Sequence, residues 1–178
     1  MDTEALALVR EMKDRQEIQD CMARYCEGID RMDRAMLLSA YHPGALDDHG
    51  YFVGPAEKFA DYVLDLHMTH QQRTQHHLTT HRCEIAGDVA HTVTYYIFRS
   101  LNRKDPLYTI ASGRYVDRLE KRDGKWGIVA RVCLVDVRNE GSAPTGTEGE
   151  AYYMPSLRDR GDPSYARPLE VDPARFTA

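Results

Sequence analysis

Apolar and polar positions follow two different rhythms along the chain. Over residues 4–29 good helix formers run without proline, and Ile18, Met22, Tyr25 and Ile29 recur at steps of four, three and four, the stripe of an amphipathic helix. Gly28 is expected to loosen the end of that helix, and Asp30 follows at the edge of the stripe. A second, short helix is predicted over 33–41, with Asp33 as its cap and the His42-Pro43-Gly44 run as its stop. Residues 45–53 carry a weak pattern, a short strand or irregular chain, closed by Gly54-Pro55. Pro55 suits the first turn of a third helix, striped by Phe59, Val63 and Leu66 and reaching about Thr69.

Beyond that point the period changes to two. Four β segments are predicted at 74–85, 89–101, 107–121 and 125–138, the first and last pairs separated by the tight-turn runs Ala86-Gly87-Asp88 and Arg122-Asp123-Gly124. Helices first and a meander afterwards read as α+β: a curved antiparallel sheet with three N-terminal helices across its concave side. This domain is expected to span residues 1–138. From Asn139 to residue 178 the pattern dissolves into Gly, Pro, Ser and charge, an extended C-terminal tail that Tyr152, Tyr153, Met154, Leu157 and Tyr165 could pin to the body or to a second subunit.

One charge breaks the β pattern. Alternation places Gly127, Val129, Arg131, Cys133, Val135 and Val137 on one face of the last strand, so Arg131 points into an apolar, β-branched surface. A buried, unpaired guanidinium costs several kcal/mol, which requires a carboxylate, a polar cavity or an anionic group to meet it. The same alternation in the first strand groups Gln75, His77, Thr79, His81, Cys83 and Ile85, making His77 the inward histidine. Asp30, His77 and Arg131 are therefore candidates to converge between helices and sheet. The structural alternatives are a satisfied core histidine, an arginine that merely pairs with Asp30, and a Tyr25 that only packs on its helix stripe.

Composition narrows the partners. The 178 residues suffice for one domain with a core and a pocket, and a net charge of −5, with Lys and Arg interspersed among acids, argues against a nucleic-acid binder. The acidic start Met1-Asp2-Thr3-Glu4 is not a secretory signal and nothing approaches a membrane span, so a cytoplasmic protein is expected. Cys21, Cys26, Cys83 and Cys133 lack CxxC spacing and read as small buried hydrophobes. The histidines at 67, 70, 76, 77 and 81 show no metal-ligand spacing, because period two sends His76 and His77 to opposite faces; neither metal nor cofactor is expected.

The ordered motifs Ile18-Gln19-Asp20, Tyr25, Gly28-Ile29-Asp30, His76-His77-Leu78-Thr79, Gly113-Arg114-Tyr115 and Arg122-Asp123-Gly124-Lys125-Trp126, with Arg131 after them, resemble the SnoaL-like branch of the nuclear transport factor 2-like superfamily over residues 14–138. The resemblance implies a cone-shaped α+β barrel with a deep apolar pocket, commonly a homodimer or homotrimer. It is strongest toward cofactor-independent lyases: scytalone dehydratase, hexachlorocyclohexane dehydrochlorinase and bile-acid 7α-dehydratase. By motif position it implies Asp30 and His77 as the catalytic dyad, with Arg131 and Tyr25 completing the set. His49, Tyr51, His81 and Tyr95 are the substrate-lining candidates. A carboxylate-backed imidazole can take a proton from carbon near neutral pH, with Arg131 and the Tyr25 hydroxyl stabilising charge on the departing or enolate oxygen. The expected reaction expels water, halide or formaldehyde from a small apolar or aromatic substrate. The alternatives are an isomerase or polyketide-type cyclase using the same abstraction, and a non-catalytic ligand carrier or small subunit of a ring-hydroxylating dioxygenase.

Overall fold

In the computed structural model, which describes residues 2–104, 107–142 and 156–170, the chain opens with the long helix α1, Thr3–Asp30. The Asp2 side chain caps it by accepting the Ala5 N–H. Only its second half is packed: Ile18, Cys21, Met22, Tyr25, Cys26 and Ile29 are buried, whereas Leu6, Leu8, Val9 and Met12 stay exposed. Helix α2 is shorter than expected, Arg34–Leu38, with Asp33 capping Met36. Gly28 does not loosen α1. It lies within the helix where α2 crosses, and a Cβ there would sit 2.4 Å from the Leu37 nitrogen.

Strand β1, Tyr41–Asp48, continues past the Pro43-Gly44 pair expected to break the chain, although its register shifts there, between Tyr41 and Leu46, and β2, Val53–Pro55, turns back on it. Helix α3 is Ala56–His70, and β3 (Gln71–Ala86), β4 (Val89–Asn102), β5 (Leu107–Arg122) and β6 (Lys125–Ser142) form the meander. The strand order is β2-β1-β6-β5-β4-β3. Every neighbouring pair is antiparallel except β1 and β6, which run parallel, so the expected antiparallel sheet is an open, mixed one.

Two irregularities decide which side chains face the helices. In β3, Leu78 pairs with Tyr96 but His81 with Thr94, an extra residue in β3 that reverses its alternation. Thr74, His76 and Leu78 face inward before it, and His81, Cys83 and Ile85 after it. In β6, Ile128 pairs with Leu119 but Ala130 with Arg118, so Val129 is the extra residue. The core between sheet and helices is built from Ile18, Met22, Tyr25, Ile29, Phe59, Tyr115, Leu119, Trp126 and Ile128.

The described part of the tail is docked on the body. Arg31 binds the Leu157 carbonyl at 2.6 Å and Asp162 at 3.2 Å, Tyr165 donates to Asp33 at 2.9 Å, and Arg158 reaches the Gln71 carbonyl at 2.6 Å. A short 3₁₀ turn, Pro163–Tyr165, adds regular structure to a stretch read as having none. Tyr152, Tyr153 and Met154 lie outside the described residues.

Candidate functional site

The last turn of α1 presents Asp30 to the middle of β3, and the residue that meets it is His76. The His76 backbone N–H donates to Asp30 Oδ2 at 2.8 Å, and its ring Nδ1 lies 2.8 Å from Oδ1. Both side chains are nearly enclosed, 9% and 7% accessible. Burial raises the Asp30 pKa, but the charge of His76 and its two hydrogen bonds outweigh it and hold the carboxyl below its usual value. An ionised Asp30 accepting from Nδ1 fixes the ring and leaves Nε2 as the free acceptor. His67 from α3 stacks on His76 at 6.1 Å, and Phe98 from β4 tilts against it at 4.8 Å. Burial, then the neighbouring charges of His76 and Arg158, push the His67 pKa down to about 3, so this second imidazole stays neutral.

His77, assigned inward from the alternation, is exposed. The phase of β3 had been read backwards from the apolar Cys83 and Ile85 through the bulge, and the bulge exchanges the two histidines. Asp30 is hydrogen-bonded to His76 and not to His77.

Arg131 is buried as expected, and its partner is Asp117, directly opposite on β5. Nε and Nη2 reach the two carboxylate oxygens at 2.7 and 2.9 Å, a fork-to-fork pair with no accessible surface on either side chain. The guanidinium lies between the rings of Tyr25 at 4.0 Å and Tyr115 at 4.2 Å. Among the described residues no hydrogen bond joins Arg131 to Asp30 or His76, and Nη1 has no partner. Asp117 escaped the reading of the sequence, although it shares the inward alternation of Gly113, Tyr115 and Leu119.

Tyr25 is buried at the centre of a second polar chain. Its hydroxyl lies 3.0 Å from His49 Nε2, His49 Nδ1 is hydrogen-bonded to Asp47, and the other Asp47 oxygen accepts from Tyr41. His49 stacks on Phe59 at 4.3 Å and keeps 18% of its side chain accessible. Asp47 is 1% exposed at the end of β1, within the stretch whose weak pattern allows either a short strand or irregular chain.

The other lining candidates separate. His81 faces inward and is half-buried, with Nδ1 2.8 Å from the Thr94 hydroxyl. Tyr51 is 94% exposed at the turn between β1 and β2 and lines only an outer depression beside α3. Tyr95 points to the outer face, beside Arg114; the inward tyrosine of β4 is Tyr96, stacked on Tyr115 at 4.4 Å. Asp30, His76 and Leu78, with Cys26 of α1 and Asp162 and Ser164 of the tail, line one open groove of about 560 Å³.

Comparison with known proteins fits this architecture. A sequence model of the SnoaL-like domain matches residues 10–132. A search of curated proteins finds no sequence match. Among solved structures, hexachlorocyclohexane dehydrochlorinase LinA-type3 from Novosphingobium barchaimii superposes with a TM-score of 0.71 at 17% identity, over 78% of this chain and 99% of that one. A Novosphingobium aromaticivorans protein provisionally described as a scytalone dehydratase gives 0.69 at 16% identity, over 79% and 98%. A Mycobacterium tuberculosis protein of unknown function gives 0.64 at 25% identity, over 72% and 75%.

Proposed function

The chain belongs to the SnoaL-like domain family, within the nuclear transport factor 2-like superfamily, and from that premise we propose that it is a cofactor-independent lyase acting on a small apolar or aromatic substrate. His76 takes a carbon-bound proton on Nε2 and the neighbouring leaving group departs. The observation that carries this reading is the double hold of Asp30 on His76, through backbone and ring, which leaves one imidazole nitrogen basic and oriented. Phe98, Leu78 and Tyr96 supply an apolar wall for the substrate. Arg131, locked onto Asp117, acts as fixed positive charge behind the Tyr25 ring instead of as a ligand-binding fork.

A β-hydroxy aromatic ketone such as 4-hydroxy-4-(4-nitrophenyl)butan-2-one tests this, because elimination gives a conjugated enone visible by absorbance. His76→Gln is expected to lower turnover by roughly 100-fold or more while His77→Gln leaves it unchanged. A folded His76→Gln protein with full turnover would refute the assignment. Product mass separates elimination from isomerisation, which begins with the same abstraction but conserves mass.

We further infer a homo-oligomer. The outer sheet face exposes Val116, Val132, Leu134 and Val137, an apolar patch of the kind that self-association covers. Light scattering of the purified chain should give a multiple of its 20.4 kDa mass.

A further inference from the structure

The seam between α1 and β3 carries two hollows end to end. The first is the groove that holds Cys26, Asp30, His76 and Leu78. The second, of about 260 Å³, is lined by Gln19 and Met22 of α1, Leu78, Thr79 and His81 of β3, and Thr94 of β4. Leu78 belongs to both. Helix and strand pass in opposite senses here, so their walls advance in step: Asp30 meets His76, and two to three turns earlier on the helix Met22 and Gln19 share a cavity with Leu78 and His81. Asp30 and Met22 are eight residues apart, about 12 Å along the helix axis, the length of a ring carrying a short carbon chain. The second hollow lies at the bulge of β3, where Thr79 and Thr80 together stand opposite Tyr95.

Resting on the lyase reading, we propose that this second hollow is the ring subsite of the enzyme: it takes a single aromatic ring with an uncharged polar substituent, while the carbon to be deprotonated lies in the groove beside His76. A cavity of about 150 Å³ already accepts benzene, so the volume here suits one substituted ring. Met22 and Leu78 supply apolar contact, and the Met22 thioether is held in place by Arg131, whose Nη2 is 3.0 Å from Sδ. Polar groups come from the exposed Gln19 amide and from the His81–Thr94 pair, in which Nδ1 and the hydroxyl are 2.8 Å apart.

The lining also decides which substituents are refused. Burial lowers the His81 pKa below its ordinary value, with Asp117 pulling the other way and Arg15 adding to the fall, so the ring is neutral at pH 7. None of the six lining side chains then carries a charge. A carboxylate on the ring would leave water without gaining a partner, whereas a hydroxyl or nitro group loses far less.

Two measurements on the full chain test the subsite. The first needs no turnover: phenol and benzoate are titrated at pH 7 against the methyl signal of Met22 and the ring signals of His81. Phenol is expected to shift both to saturation and benzoate to bind at least about 10-fold more weakly. His81→Trp and, at the exposed edge, Gln19→Phe fill the hollow and are expected to weaken phenol binding by about 10-fold or more. Phenol that leaves Met22 and His81 unmoved, or benzoate that binds as tightly as phenol, overturns the proposal. The second compares 4-hydroxy-4-(4-nitrophenyl)butan-2-one with its alkyl counterpart 4-hydroxypentan-2-one. Both filling variants are expected to lower the aryl-to-alkyl ratio of kcat/KM by roughly 10-fold or more. An unchanged ratio in both overturns the subsite and leaves the His76 assignment standing. Saturable phenol binding at Met22 and His81 with neither ketone turned over upholds the subsite and overturns the lyase reading instead.

Discussion

Two buried charge pairs hang beneath the same stretch of α1, and they differ in what each leaves unspent. In Asp117–Arg131 both carboxylate oxygens are taken, the guanidinium is covered by tyrosine rings on either side, and no side-chain surface is accessible. In Asp30–His76 the carboxylate is equally committed, but the imidazole has a second nitrogen and a sliver of accessible surface. Closure of the first pair makes a structural clamp between β5 and β6. The second keeps an uncommitted ring nitrogen, the atom that the proposed reaction uses. An arginine deep in this fold is therefore read by its partner: opposite a cross-strand carboxylate it fixes the sheet.

The sharpest way to break the comparison is to open the clamp. Asp117→Asn leaves a charged guanidinium in an enclosed site, and the expected loss is about 3–5 kcal/mol in denaturant unfolding. Replacing both partners, Asp117→Leu with Arg131→Met, removes the stranded charge and is expected to recover most of that loss. If the double variant were as unstable as the single one, the pair would be holding more than itself. Asp30→Asn should do the converse. The backbone N–H of His76 keeps an acceptor, so stability falls by only about 1–3 kcal/mol. Turnover of the hydroxy ketone is expected to fall roughly 100-fold as the ring loses its anchor. A large stability loss with little loss of turnover would make Asp30–His76 a second clamp.

The sequence announced the parts of this comparison better than their pairing. The α1 stripe, the meander and its turns are local patterns, and all are legible as runs. Phase is not, because a β-bulge leaves no periodic trace: the extra residue between Leu78 and His81 turned His76 inward and His77 outward. The bulge at Val129 did the same to the search for the partner of Arg131. Strict counting from the Asp123-Gly124 turn puts Val116 opposite Arg131, one residue short of Asp117. Strand β1, with Asp47 at its end, escaped for a different reason. Its proline and glycine look like punctuation, and its long-range partner is the parallel β6, 84–87 residues away and beyond any local signal. A histidine doublet offers one inward ring whichever way the phase falls, so the proposed base moves by only one residue, from His77 to His76.

A finer comparison sets the two histidines beside the site against each other through pH. For His67 the folded pKa of about 3 lies below the unfolded value near 6.5, so between them the unfolded chain binds a proton that the native state refuses. Its contribution is complete above pH 6.5 and drains away as pH falls, at no more than about 1.4 kcal/mol per unit. For His49 the sign reverses: with a folded pKa of about 9, its contribution is complete below pH 6.5 and is lost as pH rises toward 9. From pH 6.5 to 5.5, where His49 is fully charged in the native state, His67→Phe should therefore flatten the fall in unfolding free energy by roughly 1 kcal/mol. His49→Gln should instead flatten the alkaline side. Equal slopes in the wild-type and His67→Phe proteins over that acid unit would mean that His67 carries a proton in the folded state, and a positive charge stacked on His76 would weaken the base proposed for this site.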